Sequence, residues 1–277
     1  MQISFIIKEH NFLNVSLLDA VDSIQTIRQK NKCFVAFRYC MRIVAVIPAR
    51  YASSRFPGKL LSDIYGKSIL QLVYEQAVEC PGIDHVIIAT DDERIMNVAN
   101  SFGAVAVKTS SSCRSGTDRV AEAIAGLDAD TIINIQGDQI MMDVKAIKGM
   151  IDALESGCPM VTIATQVTCE DAQDRNTVKV AVDVQGNALY FSRSLIPFPH
   201  SKGHTTLLRH VGLYGFSRET LIKFASLPQT PLELTESLEQ LRALENGIPV
   251  KVVISEGKFF EINTPDDRER LLQQWQP

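Results

Sequence analysis

The 277-residue sequence predicts an α/β fold with a mostly parallel sheet, helices on both faces, and a smaller antiparallel lobe. Short runs of β-branched residues alternate with stretches that carry apolar residues at helical intervals. After Cys169 the pattern changes to short alternating runs such as VKVAVD and ALYFSRSLIPF, which favour antiparallel strands. The composition, 45% hydrophobic and 22% charged, is typical of a globular protein with a sizeable core.

The first half of the chain carries the alternation. Five strands are predicted, at 43–47, 85–89, 104–107, 131–135 and 161–165. Four helices are predicted between them, at 68–78, 93–101, 116–125 and 144–155. Right-handed crossovers then place helices on both faces of a Rossmann-like sheet. Further on, 231–245 predicts one helix, KVVISE and FFEIN predict strands, and Thr264 and Pro265 begin a last helix.

The sequence divides at Met41, where the strand and loop MRIVAVIPAR begin. We predict that residues 1–40 form an N-terminal extension outside the catalytic fold. Residues 41–277 form the functional domain, in which 170–230 makes the antiparallel lobe. In the first forty residues, charged side chains interrupt every apolar run before it reaches signal-peptide or membrane-span length. We therefore expect neither export nor a membrane anchor.

Cysteine spacing and net charge bound the function further. The six cysteines lie far apart, with no CxxC pair, which favours reduced thiols and a cytoplasmic location over a disulfide or zinc framework. The net charge of −4 argues against a nucleic-acid-binding protein. An anionic ligand must therefore be met by local cations.

The loop after the first strand, PARYASSRFPGKL, is the most informative segment. It places Arg50, Arg55 and Lys59 around Ser54 and Gly58. Ligands of open α/β sheets bind at the carboxyl ends of strands, and guanidinium groups match phosphate oxygens. We interpret this loop as a triphosphate site. The alternative is a solvated basic turn.

Two commoner nucleotide motifs are excluded. Gly66-Lys67-Ser68 imitates the end of a Walker A loop, but Leu61 occupies the leading glycine position. No GxGxxG follows a predicted strand, so a Rossmann dehydrogenase is also disfavoured.

Two further motifs carry candidate site residues. In NIQGD, a buried strand ends at Asp138, where a carboxylate suits Mg²⁺ bound against substrate phosphates; the alternative is an aspartate that caps a turn. In SGTDR, the N–H groups of a helix start and the Arg119 guanidinium suit a base or phosphate, although SGTD is also an ordinary helix start.

Six segments in family order resemble the 3-deoxy-manno-octulosonate (Kdo) cytidylyltransferases, or CMP-Kdo synthetases: PARYASSRFPGK, SGTDRVAEA, NIQGD, ALYFSRSLIPF, LLRHVGLYGF and LEQLRALE. The resemblance extends from Met41 to nearly the end of the chain. It implies a nucleotide-diphospho-sugar transferase fold and transfer of CMP from CTP to the anomeric hydroxyl of Kdo, an acidic sugar. Pyrophosphate is released, and the product serves lipopolysaccharide biosynthesis. It also implies a homodimer that uses Mg²⁺.

The resemblance assigns roles to individual residues. It implies nucleotide binding by Arg50, Ser54, Arg55, Lys59, Ser115, Gly116, Arg119 and Gln136. It implies catalysis by Arg50, Lys59 and Asp138, and metal binding by Asp138 and Asn263. It implies that residues 170–230 form the sugar-binding lobe. It implies sugar binding by Arg193, His210, Tyr214, Glu239 and Gln240.

Three departures from the family pattern leave alternatives open. Gln139 and Ile140 follow Asp138 where relatives read QGDEP, and Leu234 stands in a segment that relatives read PLEHIE. Asn263 replaces the second metal aspartate of a VDTP motif. The alternatives are a cytidylyltransferase for 8-amino-Kdo or a nonulosonate, and a nucleotide-sugar-binding homologue with impaired catalysis.

Glu261 offers a carboxylate close to the altered position. Because strand side chains alternate, Glu261 is expected on the same side as Asn263. A step of two residues displaces a side chain by about 6.6 Å. We therefore expect Glu261 to lie too far away to replace the missing aspartate directly.

Overall fold

The computed structural model describes residues 42–52, 56–200 and 206–274. The predicted extension, residues 1–40, lies outside these ranges and stays a prediction. Ser54 and Arg55 also lie outside the described residues, so their predicted phosphate contacts are not addressed by the structure.

The described residues form thirteen strands and eight helices. The strands are β1 (Ile43–Ala49), β2 (Asp63–Ile64), β3 (Lys67–Ser68), β4 (His85–Thr90), β5 (Val105–Lys108), β6 (Thr131–Asn134), β7 (Gln139–Met141), β8 (Met160–Val167), β9 (Lys179–Val182), β10 (Ala188–Ser192), β11 (Leu207–Ser217), β12 (Val250–Ser255) and β13 (Phe260–Glu261). The helices are α1 (Ile69–Glu79), α2 (Glu93–Ser101), α3 (Gly116–Ala123), α4 (Val144–Glu155), α5 (Arg218–Ser226), α6 (Pro231–Glu236), α7 (Leu241–Glu245) and α8 (Pro265–Gln274). Each of the nine elements predicted in the first half is present, with ends that shift by at most two residues.

Nine strands share one sheet, in which β10, β9, β11, β6, β1, β4 and β5 lie side by side in that order. The central strand β1 is parallel to both β4 and β6. The long strand β11 runs antiparallel to β6, β8 and β9, and β12 is parallel to β8. The predicted α/β class is confirmed. The antiparallel strands after Cys169 continue the main sheet.

The core lies on both faces of this sheet. Along β1, Ile43, Ala45 and Ile47 pack into one apolar layer with α1 and α4. Val44 and Val46 point the other way, into a second layer with α3 and α5. A strand buried on both faces has no polar side, which is why β1 appears in the sequence as a continuous apolar run.

The prediction of one helix over 231–245 is wrong. The chain forms two short helices, α6 and α7, and Ser237 between them adopts a left-handed conformation with φ of 53°. This conformation is uncommon outside glycine and ends the first helix. The intervening segment carries Glu239 and Gln240.

Among the described residues, no helix combines the length and the apolar character needed to cross a membrane. The four cysteines in the described ranges are all free thiols: Cys80, Cys113, Cys158 and Cys169.

Candidate active site

The loops that follow β1 and β6 meet at one edge of the sheet. The two strands are parallel neighbours with Val46 opposite Asn134, so their carboxyl ends lie side by side. A Cβ atom at Gly137 would lie 3.2 Å from the carbonyl oxygen of Pro48 and 3.1 Å from a methyl group of Leu60. Glycine therefore lets the backbone before Asp138 pack against the loop after β1.

This approach pairs Lys59 with Asp138. Gly58, with φ of 68°, donates its N–H to the carbonyl of Tyr51 at 3.1 Å and turns the chain into a short 3₁₀ segment that begins at Lys59. The Lys59 ammonium then forms an ion pair with the Asp138 carboxylate, and both side chains are mostly buried. Arg50 lies exposed directly after β1. Two predicted site residues from distant parts of the sequence are thus in contact.

The strand β13 brings a second carboxylate to Asp138. β13 pairs with β7, and the Ile262 N–H donates to the carbonyl of Asp138 at 3.1 Å. The Asn263 side chain hydrogen-bonds the Glu261 carboxylate. Loss of surrounding solvent, and then the negative charge of Asp138, raise the pKa of Glu261, while Lys59 acts in the opposite direction.

The expected separation between Glu261 and the Asn263 position stays a prediction, because the contact between their side chains does not measure it. The pairing register of β13 shifts between Phe260 and Glu261, so the spacing of a regular strand does not apply there. We name Arg50, Lys59, Asp138, Glu261 and Asn263 the charged end.

The donor set of the charged end fits a hard divalent cation. In the described ranges, no group of three or more His, Cys, Asp or Glu side chains is arranged to hold a metal. Asp138, Glu261 and Asn263 nevertheless offer two carboxylates and an amide oxygen in one place. Mg²⁺ prefers oxygen ligands and is commonly bound by one or two carboxylates together with substrate phosphates.

The start of α3 lies beside the same loops. Ser115 caps the helix by accepting a hydrogen bond from the Asp118 N–H at 3.1 Å. A Cβ atom at Gly116 would lie 3.4 Å from the Pro48 ring and 3.7 Å from the Gln136 side-chain oxygen. The structure therefore gathers Ser115, Gly116 and Gln136 next to the charged end. Their nucleotide contacts stay predictions.

Arg119 has a different environment. Its guanidinium is buried, donates to the Thr109 hydroxyl and forms an ion pair with Asp91 at 3.1 Å. This position links α3 to the segments after β4 and β5. Its predicted nucleotide contact is untested, and its visible contacts brace the sheet edge.

A chain of neutral polar groups lies between β8, β11 and the segment before α7. The Tyr214 hydroxyl donates to the Gln240 amide oxygen at 3.1 Å, and the Gln240 amide nitrogen lies 3.5 Å from Nδ1 of His210. Nε2 of His210 lies 3.0 Å from the Thr162 hydroxyl, which donates to the carbonyl of Leu213 at 2.7 Å. Because Thr162 donates onward, His210 must donate from Nε2 and accept at Nδ1.

The pKa of His210 agrees with this proton order. Burial, and then the positive charge of Arg209, lower the pKa of His210 to about 3. The imidazole is therefore neutral at physiological pH. It acts here as a directional hydrogen-bonding group and not as a cation for a sugar carboxylate.

The Glu239 side chain lies next to these neutral polar groups and contacts the start of α3. It accepts a hydrogen bond from the Thr117 hydroxyl at 2.7 Å, and Thr117 accepts one from the Asn134 amide at 3.2 Å. Burial raises the pKa of Glu239. The amide oxygen of Asn134 is buried and has no hydrogen-bond partner in the part of the chain that the structure describes. We name the whole group the hydrogen-bonded end: Thr117, Asn134, Thr162, His210, Tyr214, Glu239 and Gln240.

Arg193 differs from the other four predicted sugar-binding residues in its hydrogen-bond partners. Its guanidinium donates to the backbone carbonyls of Glu236 at 2.8 Å, Arg175 at 3.1 Å and Ser237 at 3.4 Å. These bonds fix the turn before Glu239. Its predicted sugar contact is untested.

Sequence reasoning missed three members of the hydrogen-bonded end. Thr117 and Asn134 lie within the motifs SGTDR and NIQGD and could have been chosen there as polar residues at a helix start and a strand end. Thr162 lies in a run of apolar residues in β8, and no sequence signal distinguishes it from a packing residue.

Comparison with known proteins places the chain in a family. A family model described as cytidylyltransferase matches residues 44–254. A Trichlorobacter lovleyi protein is 45% identical over 251 residues, which is 84% of this chain and all of that one. A Synechococcus elongatus protein is 47% identical over 235 residues, which is 83% of this chain and 96% of that one.

Solved structures agree. CMP:2-keto-3-deoxy-manno-octonic acid synthetase complexed with CTP superposes with a TM-score of 0.81 at 37% identity, over 84% of this chain and 97% of that one. A Leptospira borgpetersenii cytidylyltransferase, at 18% identity and a TM-score of 0.58 over 84% and 85%, shares the fold.

The chain belongs to the cytidylyltransferase family of nucleotidyltransferases. Within that family, both the Trichlorobacter and the Synechococcus relatives are named 3-deoxy-manno-octulosonate cytidylyltransferase, which confirms the resemblance found in the sequence.

Proposed function

We propose that this protein transfers CMP from CTP to the anomeric hydroxyl of Kdo and releases pyrophosphate. The observation that carries the proposal is the 45–47% identity to relatives of that name over 96–100% of their length. The same relationship disfavours 8-amino-Kdo, a nonulosonate, or a binding function without catalysis. We include in the same proposal a role in lipopolysaccharide biosynthesis, a cytoplasmic location and a homodimer.

In the proposed reaction, the sugar hydroxyl oxygen bonds to the α-phosphorus of CTP. The bond from that phosphorus to the oxygen bridging to the β-phosphorus breaks, the hydroxyl proton passes to water, and pyrophosphate leaves. Lys59, which pairs with Asp138, and the exposed Arg50 would offset the negative charge that accumulates on the phosphates. Mg²⁺ held by Asp138 and Asn263 would neutralise phosphate charge and orient the leaving group.

The hydrogen-bonded end supports the sugar part of the proposal. Its donors and acceptors are fixed in direction by one another, which suits a ligand with many hydroxyl groups.

Pyrophosphate release tests the proposal. The full chain is incubated with CTP, Mg²⁺ and a panel of acids consisting of Kdo, 8-amino-Kdo and N-acetylneuraminate, with ATP, GTP and UTP as nucleotide controls. We expect release with CTP and Kdo, and much less with every other combination. Release that does not require an acid sugar, or a preference for N-acetylneuraminate, would overturn the assignment.

A further inference from the structure

The backbone at 260–263 is fastened to the segment that carries Asp138. The Ile262 N–H donates to the Asp138 carbonyl at 3.1 Å, and the Gln139 side-chain amide donates to the Phe260 carbonyl at 3.1 Å. On the far side, the Asn263 N–H donates to the Asp267 carboxylate at 3.0 Å. Residues 261 and 263 are therefore held in place beside Asp138 by bonds on both flanks.

Glu261 and Asn263 form one unit at this position. A carboxylate only accepts hydrogen bonds, so the side-chain bond between them is donated by the Asn263 amide nitrogen. The amide oxygen of Asn263 is then the atom suited to a cation. The same bond orients the Glu261 carboxylate, which lies near Asp138 and Lys59.

The surrounding charges match a cation site. The two carboxylates of Asp138 and Glu261 repel each other, while Lys59 and Arg209 attract the Glu261 carboxylate. Lys59 is already paired with Asp138. Like charges held close together in this way favour the binding of a divalent cation, which relieves the repulsion directly.

The number of negative charges at the cation site depends on Glu261. Asp138 with an amide at 263 gives a cation site one negative charge fewer than a pair of aspartates. Glu261, two residues away in the chain and hydrogen-bonded to that amide, returns the count to two.

We propose that Glu261 supplies the second negative charge of the divalent-cation site at Asp138, in place of an aspartate at position 263. This inference rests on the proposed function, because it concerns the metal ion of the same reaction. Glu261 binds the ion directly or through one water, and Asn263 contributes its amide oxygen and orients Glu261.

Mn²⁺ binding tests the proposal independently of turnover. Binding of Mn²⁺ to the full chain with saturating CTP is followed by the electron paramagnetic resonance signal of free Mn²⁺, with CTP alone as the blank. Three variants are compared with the wild type: Glu261→Gln, the double variant Glu261→Gln with Asn263→Asp, and Glu256→Gln. Glu256 is an exposed glutamate five positions earlier, so its substitution makes the same chemical change as a matched control.

We expect Glu261→Gln to weaken Mn²⁺ binding about 10- to 100-fold. Asn263→Asp in that background should restore most of the lost affinity, since it returns the charge to two. A structural role for Glu261 would show no such rescue. The Mg²⁺ concentration that gives half-maximal pyrophosphate release should shift in parallel.

Three outcomes overturn the proposal. Glu261→Gln binds Mn²⁺ as the wild type does, the double variant fails to regain affinity, or Glu256→Gln loses as much as Glu261→Gln. If the wild type binds Mn²⁺ through Glu261 but releases no pyrophosphate with any acid sugar, the proposed function fails and the cation site stands.

Discussion

The charged end and the hydrogen-bonded end share the strand β6 but are built in opposite ways. The charged end is assembled from loops and strand ends, with an ion pair, a second carboxylate and an exposed arginine. The hydrogen-bonded end is assembled from the strands β6, β8 and β11, the start of α3 and the segment between α6 and α7, and its central groups are neutral. Under the proposed function, the loops of the charged end would meet the phosphates, and the rigid, directional groups of the hydrogen-bonded end would meet the sugar hydroxyl groups.

A buried ion pair supports the hydrogen-bonded end. Arg242 in α7 donates to both carboxylate oxygens of Glu233 in α6, at 2.5 and 2.8 Å, and both side chains are almost fully buried. This pair ties together the two helices that flank Glu239 and Gln240. The charged end is supported differently, because the Asp267 carboxylate accepts hydrogen bonds from the N–H groups of Asn263 at 3.0 Å and Thr264 at 2.8 Å, and the Lys59–Asp138 pair lies within the site itself.

The largest expected effect is the loss of that support. Glu233→Gln leaves the Arg242 charge buried and unpaired, so the free energy of unfolding should fall by about 3–5 kcal/mol. Urea unfolding measures the change. Asp152→Asn removes one partner of an exposed pair with Lys148 and should cost at most about 1 kcal/mol. Equal losses in both variants would show that the Glu233–Arg242 pair does not stabilise the hydrogen-bonded end specially.

Asp138→Asn tests the charged end. The substitution keeps the side-chain size but removes the charge that we assign to the metal site, so turnover should fall by about 10²- to 10³-fold. Pyrophosphate release measures the rate, and circular dichroism checks that the fold is retained. A folded variant with the wild-type rate would remove Asp138 from the mechanism.

Lys59→Ala and Arg50→Ala should weaken CTP binding. Each substitution removes a charge-assisted contact worth about 1.5–3 kcal/mol. The KM for CTP should rise, while the KM for Kdo should change much less, because the two cations lie at the charged end. Unchanged CTP affinity in both variants would mean that the loop is a solvated basic turn and not a triphosphate site.

His210 gives a pH test of the hydrogen-bonded end. The folded protein holds the pKa of His210 at about 3, below its ordinary value of 6.5, so only the unfolded chain takes up this proton between those values. The stability that neutral His210 contributes is therefore fully present above pH 6.5 and is lost as the pH falls from 6.5 towards 3. Between pH 7 and pH 5 the loss should be about 2 kcal/mol.

Urea unfolding at both pH values, in the wild type and in His210→Gln, measures this loss. The variant should lack this part of the pH dependence, and His85→Gln, at an exposed position, is the matched control. An identical pH dependence in the wild type and His210→Gln would mean that His210 is not held neutral.

The parallel core was predictable from the sequence because its signals are local. β1, with apolar residues on both faces, and α2, with its Asp92 cap, follow from strand and helix patterns within a few residues. The position of Lys59 and Asp138 at the carboxyl ends of strands was predicted from the rule that ligands bind there, but their ion pair was not.

Other features depend on contacts between distant segments. The break at Ser237 occurs in a sequence of good helix formers and is fixed by the Glu233–Arg242 pair and the bonds of Arg193 to the turn. The contact of Glu261 with Asn263 depends on a register shift in β13, which spacing along an ideal strand does not predict. The proton order through His210 depends on Thr162, which lies 48 residues away in the chain.

The central claim is that both ends act on one reaction, the transfer of CMP from CTP to Kdo. Phosphorus-31 nuclear magnetic resonance of the reaction tests it most directly, because it follows all three phosphorus atoms of CTP at once. We predict that the α-phosphorus signal moves to that of a sugar phosphodiester while the β and γ signals merge into pyrophosphate in equal amount. Signals of CDP with inorganic phosphate, or of CMP with pyrophosphate in the absence of Kdo, would contradict the account.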